Sequence, residues 1–69
     1  MNQIKILQAD GSLLIRVDDQ KVASLFVRPD GDFFQARAYL YRTGEHLCLK
    51  VCRTPQEANN FIQLFNFRP

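Results

Sequence analysis

A histidine and a cysteine two positions apart are the side chains of this chain that could carry out nucleophilic chemistry. His46 is the single histidine, and Cys48 would lie on the same side of an extended strand. An imidazole can activate a thiol, but the sequence offers no Ser, Cys or Asp arrangement that resembles a catalytic triad. There is also no phosphate-binding glycine loop and no paired carboxylate site. We therefore predict a non-enzymatic protein without a cofactor, and an enzyme centred on His46 and Cys48 is the least favoured alternative.

The two cysteines, Cys48 and Cys52, do not have the spacing of a metal site or of a disulfide. On a straight strand they would share a face about 13 Å apart, at about 3.3 Å per residue. A disulfide needs Cα atoms within about 7 Å, so we expect two reduced thiols and a reducing, cytoplasmic location. The first residues do not read as a secretory signal, and no apolar run approaches the roughly 18 residues of a membrane span.

A binding surface is predicted by the stretch GDFFQARAYLYR, Gly31 to Arg42, if it forms a strand. Side chains of a strand point alternately to its two faces. One of these faces is apolar and suits a core: Phe34, Ala36, Ala38 and Leu40. The other is aromatic and basic: Phe33, Gln35, Arg37, Tyr39 and Tyr41. The second face resembles neither a core nor ordinary wetted surface.

Turn signals divide the first two thirds of the chain into five short runs rich in β-branched and aromatic residues. The signals are ADGS, VDDQK, RPDGD and RTGEH, each with glycine or aspartate where a tight turn favours it. In RPDGD, the residues Pro29, Asp30 and Gly31 stand in turn order. The predicted strands are Gln3–Gln8, Ser12–Asp18, Lys21–Arg28, Asp32–Arg42 and His46–Arg53. Short loops between them favour an antiparallel meander.

The last segment, TPQEANNFIQLF, has the apolar spacing of a helix. Thr54 and Glu57 match a capping box, and Pro55 suits the first helical position because it has no N–H to satisfy. The sequence therefore predicts one α+β domain over residues 1–69, a four- or five-stranded antiparallel meander with a C-terminal helix on one face. The side chains predicted to form the core beneath the helix, besides Ala36 and Ala38, are Ile4, Ile6, Leu13, Ile15, Val17, Ala23, Leu25, Val27, Leu47, Leu49 and Val51.

The opposite face of the predicted sheet collects rings and cations and is predicted to carry no acidic residue, because the acidic residues lie almost entirely in turns. We predict that this face binds nucleic acid or another anionic partner, because arginine and lysine attract phosphates and aromatic rings stack on bases. The predicted binding residues are Lys5, Arg16, Phe26, Arg28, Phe33, Arg37, Tyr39, Tyr41 and Lys50.

The sequence leaves two alternatives to a nucleic-acid interface on this face. Aspartate is common in turns for local reasons, and cross-strand aromatic pairs stabilise a sheet without any partner. The face could also pack against a second copy, which would support a core as small as 69 residues allow. The apolar side chains predicted on this face for such packing are Leu7, Leu14, Val22, Phe26 and Phe33. The alternative function is therefore a small protein-interaction module, an inhibitor or adaptor encoded by a phage or mobile element, that dimerises or binds a host protein through this face.

The stretch VCRTPQEANNF, Val51 to Phe61, resembles the F-x-T-x-x-E-A helix start in the arm-binding domains of tyrosine-family phage integrases, which have three strands and a helix. The order of elements also resembles the single-strand-binding coactivator fold, a curved four-stranded sheet followed by a helix that works as a dimer. Both resemblances imply a binding module. The additional first strand has no counterpart in either, so no site residue is transferred and no family is assigned.

Overall fold

The computed structural model describes residues 3–66, which form one five-stranded antiparallel sheet and one helix. The strands are β1 (Gln3–Leu7), β2 (Leu13–Val17), β3 (Gln20–Asp30), β4 (Phe33–Leu40) and β5 (His46–Cys52), followed by α1 (Pro55–Leu64). They pair in chain order, so the predicted meander with a C-terminal helix is confirmed. The predicted domain also includes residues 1–2 and 67–69, which lie outside the described residues.

The helix begins where the capping signals predict it. Thr54 has extended backbone angles, and its hydroxyl oxygen accepts a hydrogen bond of 3.1 Å from the backbone N–H of Glu57. Pro55 occupies the first turn, so the chain loses no donor there. The apolar stripe then turns Ala58 and Ile62 onto the sheet, and both side chains are buried.

The core lies between α1 and the sheet, chiefly against β3, β4 and β5, with Leu13 and Ile15 added from β2. Ala36 and Ala38 are buried on β4 directly opposite Val27 and Leu25 of β3, and their small side chains let the helix lie close to the sheet. Burying a large apolar side chain contributes about 1.5–3 kcal/mol, so this layer dominates the stability of the domain. The buried core comprises Leu13, Ile15, Ala23, Leu25, Ala36, Ala38, Cys52, Ala58 and Ile62.

Two of the hairpin turns are two-residue loops. Asp18 and Asp19 connect β2 to β3 with φ angles of 50° and 67°, the sign of both angles in a type I′ turn. The second of these loops is Gly31 and Asp32, because Asp30 still pairs with Phe33 across the β3–β4 ladder. The prediction that Pro29 and Asp30 belong to the turn is therefore wrong, since both lie in β3.

Two β-bulges interrupt the alternation of side chains. In β3, Ile15 pairs with Ala23 but Arg16 pairs with Lys21, so Val22 is an extra residue in the ladder. In β5, Ala36 pairs with Lys50 but Arg37 pairs with Cys48, which makes Leu49 the extra residue. Because a bulge adds one residue to one strand only, each bulge exchanges the faces of the residues that lie beyond it.

Candidate functional site

The face of the sheet opposite α1, called the uncovered face below, is defined by the pairing of the two central strands. Phe26 pairs with Arg37, and Arg28 pairs with Gln35, each one position away from a pair that lies beneath the helix. Tyr39 pairs with His46 on the next strand, and Tyr41 contacts the ring of Tyr39. Seven of the nine predicted binding residues share this face: Arg16, Phe26, Arg28, Phe33, Arg37, Tyr39 and Tyr41.

Arg37 lies at the middle of the uncovered face and is held there by an amide. Its Nη1 donates a hydrogen bond of 2.7 Å to Oε1 of Gln35. The amide of Gln35 in turn donates from Nε2 to Oδ2 of Asp30, at 2.9 Å. Within residues 3–66, the buried Nε of Arg37 has no hydrogen-bond partner. These two hydrogen bonds, from Arg37 to Gln35 and from Gln35 to Asp30, orient the guanidinium without placing a carboxylate directly against it. The positive charge of Arg37 therefore stays available to a partner.

A cluster of rings occupies the end of the uncovered face nearest the β4–β5 turn. The rings of Tyr39 and Tyr41 meet edge to face, with centroids 5.1 Å apart and an interplanar angle of 86°. His46 packs on Tyr39 at 4.9 Å, and Nζ of Lys21 lies 6.0 Å from the Tyr41 centroid. Tyr41 remains exposed, and so does Phe33 at the opposite end of β4. Stackable rings therefore stand at both ends of the strand that carries Arg37.

Sequence reasoning missed Lys21 as a member of this face, and it did not include His46 among the binding residues. Strict alternation assigns Lys21 to the same side as Ala23, which is beneath the helix. The bulge at Val22 reverses that assignment, because Lys21 pairs with Arg16 and Val22 packs against the core instead. The prediction that Val22 lies on the uncovered face is therefore wrong. His46 lies on the face that alternation assigns to it, and its ring contact with Tyr39 is what the sequence did not indicate.

Lys50 does not lie on the uncovered face, which corrects the prediction. It pairs with Ala36 beneath the helix, and its Nζ lies 5.4 Å from the ring centroid of Phe61 on α1. The physical reason is the bulge at Leu49, which packs against the core and moves the next residue to the helix side. The same shift buries Cys52 beneath the helix and exposes Val51 on the opposite face.

Lys5 is the second predicted binding residue that lies on the helix side. It pairs with Ile15, and its Nζ donates a hydrogen bond of 2.9 Å to the backbone carbonyl of Gln63 in the last turn of α1. Consequently Ile4 and Ile6 point to the uncovered face and are exposed, so their predicted core position is wrong. Leu7 lies on the helix side, which corrects its predicted place on the uncovered face.

The register of β1 follows from its turn rather than from burial. The backbone N–H of Gln8 bonds to the carbonyl of Ser12 at 2.8 Å, and Gly11, with a φ of 90°, bonds back to Gln8 at 3.0 Å. This closure fixes Leu7 opposite Leu13, and every earlier pair follows from it. The helix packs chiefly on β3, β4 and β5, so no apolar layer forces Ile4 and Ile6 inward.

The acidic residues lie at turns and strand ends, as the sequence indicates, with one on the uncovered face. Asp30 reaches that face at the tip of β3 and accepts the hydrogen bond from Gln35. Asp10 instead closes its own turn, where its Oδ1 accepts from the hydroxyl of Ser12 at 2.6 Å and from its N–H at 3.0 Å. These bonds hold the pKa of Asp10 below its usual range. The uncovered face is therefore mainly cationic, but the prediction that it carries no carboxylate is wrong.

The two thiols lie on opposite faces of the sheet, which corrects the prediction that they share one. Both cysteines are free, Cys48 exposed opposite Arg37 and Cys52 buried opposite Phe34. Burial raises the pKa of the Cys52 thiol, and a hydrogen bond to the carboxylate of Glu57 raises it further. Within residues 3–66, no group of three histidine, cysteine or acidic side chains could hold a metal ion.

Comparisons with known proteins give this chain no relative. No protein-family model matches it, and no curated protein or solved structure is significantly similar to it. No helix within residues 3–66 is long and apolar enough to cross a membrane. The geometry of the uncovered face is therefore the observation that bears on function.

Proposed function

We propose that the protein is a non-enzymatic binding module whose uncovered face contacts nucleic acid. The observation that supports this proposal is the position of Arg37. The amide of Gln35 orients its guanidinium, exposed rings lie at both ends of its strand, and within residues 3–66 no carboxylate forms an ion pair with it. A guanidinium in that state can receive a phosphate or a base edge without first losing an intramolecular ion pair.

The neighbouring cations could supply the backbone contacts of such an interface. Arg28 and Lys21 are exposed, whereas Arg16 donates from Nη2 to the carbonyl of Asp19 at 2.7 Å and is tied to the β2–β3 turn. Four phosphate contacts on a single strand would give a slope of about −3 for log affinity against log salt concentration. Arg37 and its three neighbours therefore predict a moderate salt dependence.

The rings could supply stacking that does not depend on base identity. Tyr41 and Phe33 are exposed at the two ends of β4, about 26 Å apart at about 3.3 Å per residue. Each stacked base contributes about 1–3 kcal/mol, so loss of one exposed ring should weaken binding measurably.

A titration of labelled oligonucleotides, single-stranded and duplex, by fluorescence anisotropy at several salt concentrations tests the proposal. Arg37→Ala should weaken binding and make the salt slope shallower by about 0.7–1. Lys50→Ala is the matched control, because it removes the same charge from the helix side of the sheet. Absence of binding at low salt, or equal losses in the two variants, would contradict the proposed interface.

The second candidate function is protein interaction through the same face. It is favoured by Ile4, Ile6 and Val51, which the observed register exposes there and which give the face an apolar margin. A partner that buries these side chains should be weakened by Val51→Lys and should be insensitive to salt. Nucleic-acid binding should respond in the opposite way, since an added lysine attracts phosphates.

A further inference from the structure

The two outer edges of the sheet differ in whether they could accept another strand. β1 pairs with β2 through a regular ladder from Ile4 to Leu7, without a bulge. β5 is interrupted by the bulge at Leu49, and bulges are a common way in which natural proteins blunt an edge. Within the described residues, Ile4–Leu7 has no strand on its outer side. Of the two edges, β1 is therefore the one suited to strand pairing.

Exposed apolar side chains concentrate at this same edge, on both sides of the sheet. Ile4 and Ile6 are 54% and 37% exposed on the uncovered face. On the helix side, Leu7 is 69% exposed, and Leu64 is 81% exposed next to Gln63, whose carbonyl binds Lys5. A strand added at this edge would cover apolar side chains on both faces of the sheet. This burial would stabilise the pairing beyond the backbone hydrogen bonds.

The charge at this edge is already turned away from a pairing strand. An edge lysine commonly blocks pairing because two approaching strands would bring like charges together. Lys5, the single charged residue of β1, directs its Nζ to the carbonyl of Gln63 on the helix. The charge of Lys5 therefore does not protect the β1 edge against pairing with another strand, although its place in the sequence suggests that it would.

We propose that β1 pairs antiparallel with β1 of a second copy of this chain, with Ile6 opposite Ile6 at the two-fold axis. In this register Lys5 lies opposite Leu7 of the second copy and Ile4 lies opposite Gln8, so no like charges face each other. A register centred on Lys5 would instead set two ammonium groups against each other. The proposal does not depend on what the uncovered face binds.

The symmetry of this pairing has a structural consequence. A two-fold axis perpendicular to the sheet keeps both helices on one side and joins the two uncovered faces into one ten-stranded surface. A dimer would also bury more apolar area than a chain of 69 residues can bury alone. The exposed Leu7 and Leu64 side chains of both copies would lie on the helix side of the new seam.

Disulfide trapping tests the proposed register directly. Directly opposite residues of an antiparallel pair have Cα atoms about 4.5–5.5 Å apart, within the range of a disulfide. In a Cys48→Ser background, Ile6→Cys should form a covalent dimer under mild oxidation, seen on a non-reducing gel. Val51→Cys is the matched control, because Val51, 54% exposed against 37% for Ile6, also lies on the uncovered face but on the opposite edge strand.

Light scattering of the unmodified protein over a range of concentrations supplies the second measurement. We expect a concentration-dependent dimer that Ile6→Lys abolishes and Val51→Lys retains, with circular dichroism confirming that both variants fold. A monomer at every concentration would overturn the proposal. Disulfide trapping through Val51 as fast as through Ile6 would also overturn it, because it would indicate that the two copies pack face to face rather than edge to edge. None of these outcomes bears on oligonucleotide binding, so the two proposals fail independently.

Discussion

The centre of the sheet and its two margins obey different rules. On β3 and β4, beneath the helix, side chains alternate strictly along the ladder between residues 23–30 and 33–40. Ala23 and Ala38, on the helix side of this ladder, are almost completely buried. On β1 and β5, the exposed side chains include Ile4 and Val51, while a lysine of each strand faces the helix side. Hydrophobicity thus decides which way a residue faces at the centre but not at the margins.

The difference follows from where a covering layer exists. A slip of one residue at the centre would carry a whole apolar row from the core to water, at about 1.5–3 kcal/mol for each large side chain. At β1 the helix accepts the hydrogen bond from Lys5 through the carbonyl of Gln63, and at β5 the bulge at Leu49 resets the register. Turn closure and bulge geometry therefore decide the faces of the margins.

The reactivity of the two cysteines should give the largest difference. Cys48 and Cys52 lie on one strand, on either side of the Leu49 bulge. We expect Cys48 to react with a thiol reagent as an exposed group does, and Cys52 to react about a hundredfold or more slowly because it requires opening of the fold. Two equal rates would mean that the bulge is absent and that the thiols share a face. In denaturant both should react fast.

The same substitution at the centre and at a margin should have unequal effects on stability. Leu25→Ala removes a fully buried side chain and should lower the free energy of unfolding by about 2–5 kcal/mol. Leu47→Ala, on β5, removes a side chain that is already 38% exposed and should lower it by about 1 kcal/mol. Urea denaturation measures both, and similar losses would contradict the distinction between centre and margin.

The turn between β2 and β3 should allow a substitution that stabilises the fold. Asp19 has a φ of 67°, a left-handed conformation that glycine adopts more readily. Asp19→Gly should therefore raise the free energy of unfolding by about 0.5–1 kcal/mol, measured by thermal or urea denaturation. Asp19→Ala is the control, because it removes the same carboxylate but retains the strain. A glycine variant no more stable than the alanine variant would indicate a different turn.

An effect as small as that at Asp19 is expected at Lys50, on the margin of the core. Its ammonium group lies 5.4 Å from the Phe61 ring centroid, a cation–π geometry that contributes about 0.5–1 kcal/mol at an exposed site. Lys50→Ala should lower the free energy of unfolding by that amount, and Lys50→Met should retain the packing of the stem but not the charge. Unchanged stability in both variants would argue that Lys50 does not pack on the helix.

The prediction of the fold succeeded where the signals were local or repeated. Thr54, Pro55 and Glu57 indicated the helix start within four residues, and the observed cap uses the same groups. The alternation of β4 correctly separated Ala36 and Ala38 from Arg37 and Tyr39, because the helix covers one side of that strand only. The candidate face was therefore found in its central part.

The prediction failed for the residues whose side depends on a distant strand. Lys50 and Val51 exchanged faces because an extra residue at Leu49 fits against the core, a choice made by the ladder with β4. Lys21 joined the uncovered face for the same reason, through the bulge at Val22. Alternation assumes a regular ladder, and nothing in the spacing of these residues indicates the added residue.

The amino-acid sequence by itself determined the helix boundary, the antiparallel meander and the character of the face around Arg37. Each of these depends on interactions within a few residues or on one strand covered by one helix. Only the tertiary structure decided which side Lys5 and Lys50 take, and that Arg37 is oriented by Gln35 and Asp30. The physical reason is that strand register is set by pairing between strands, and one added residue reverses every side chain beyond it.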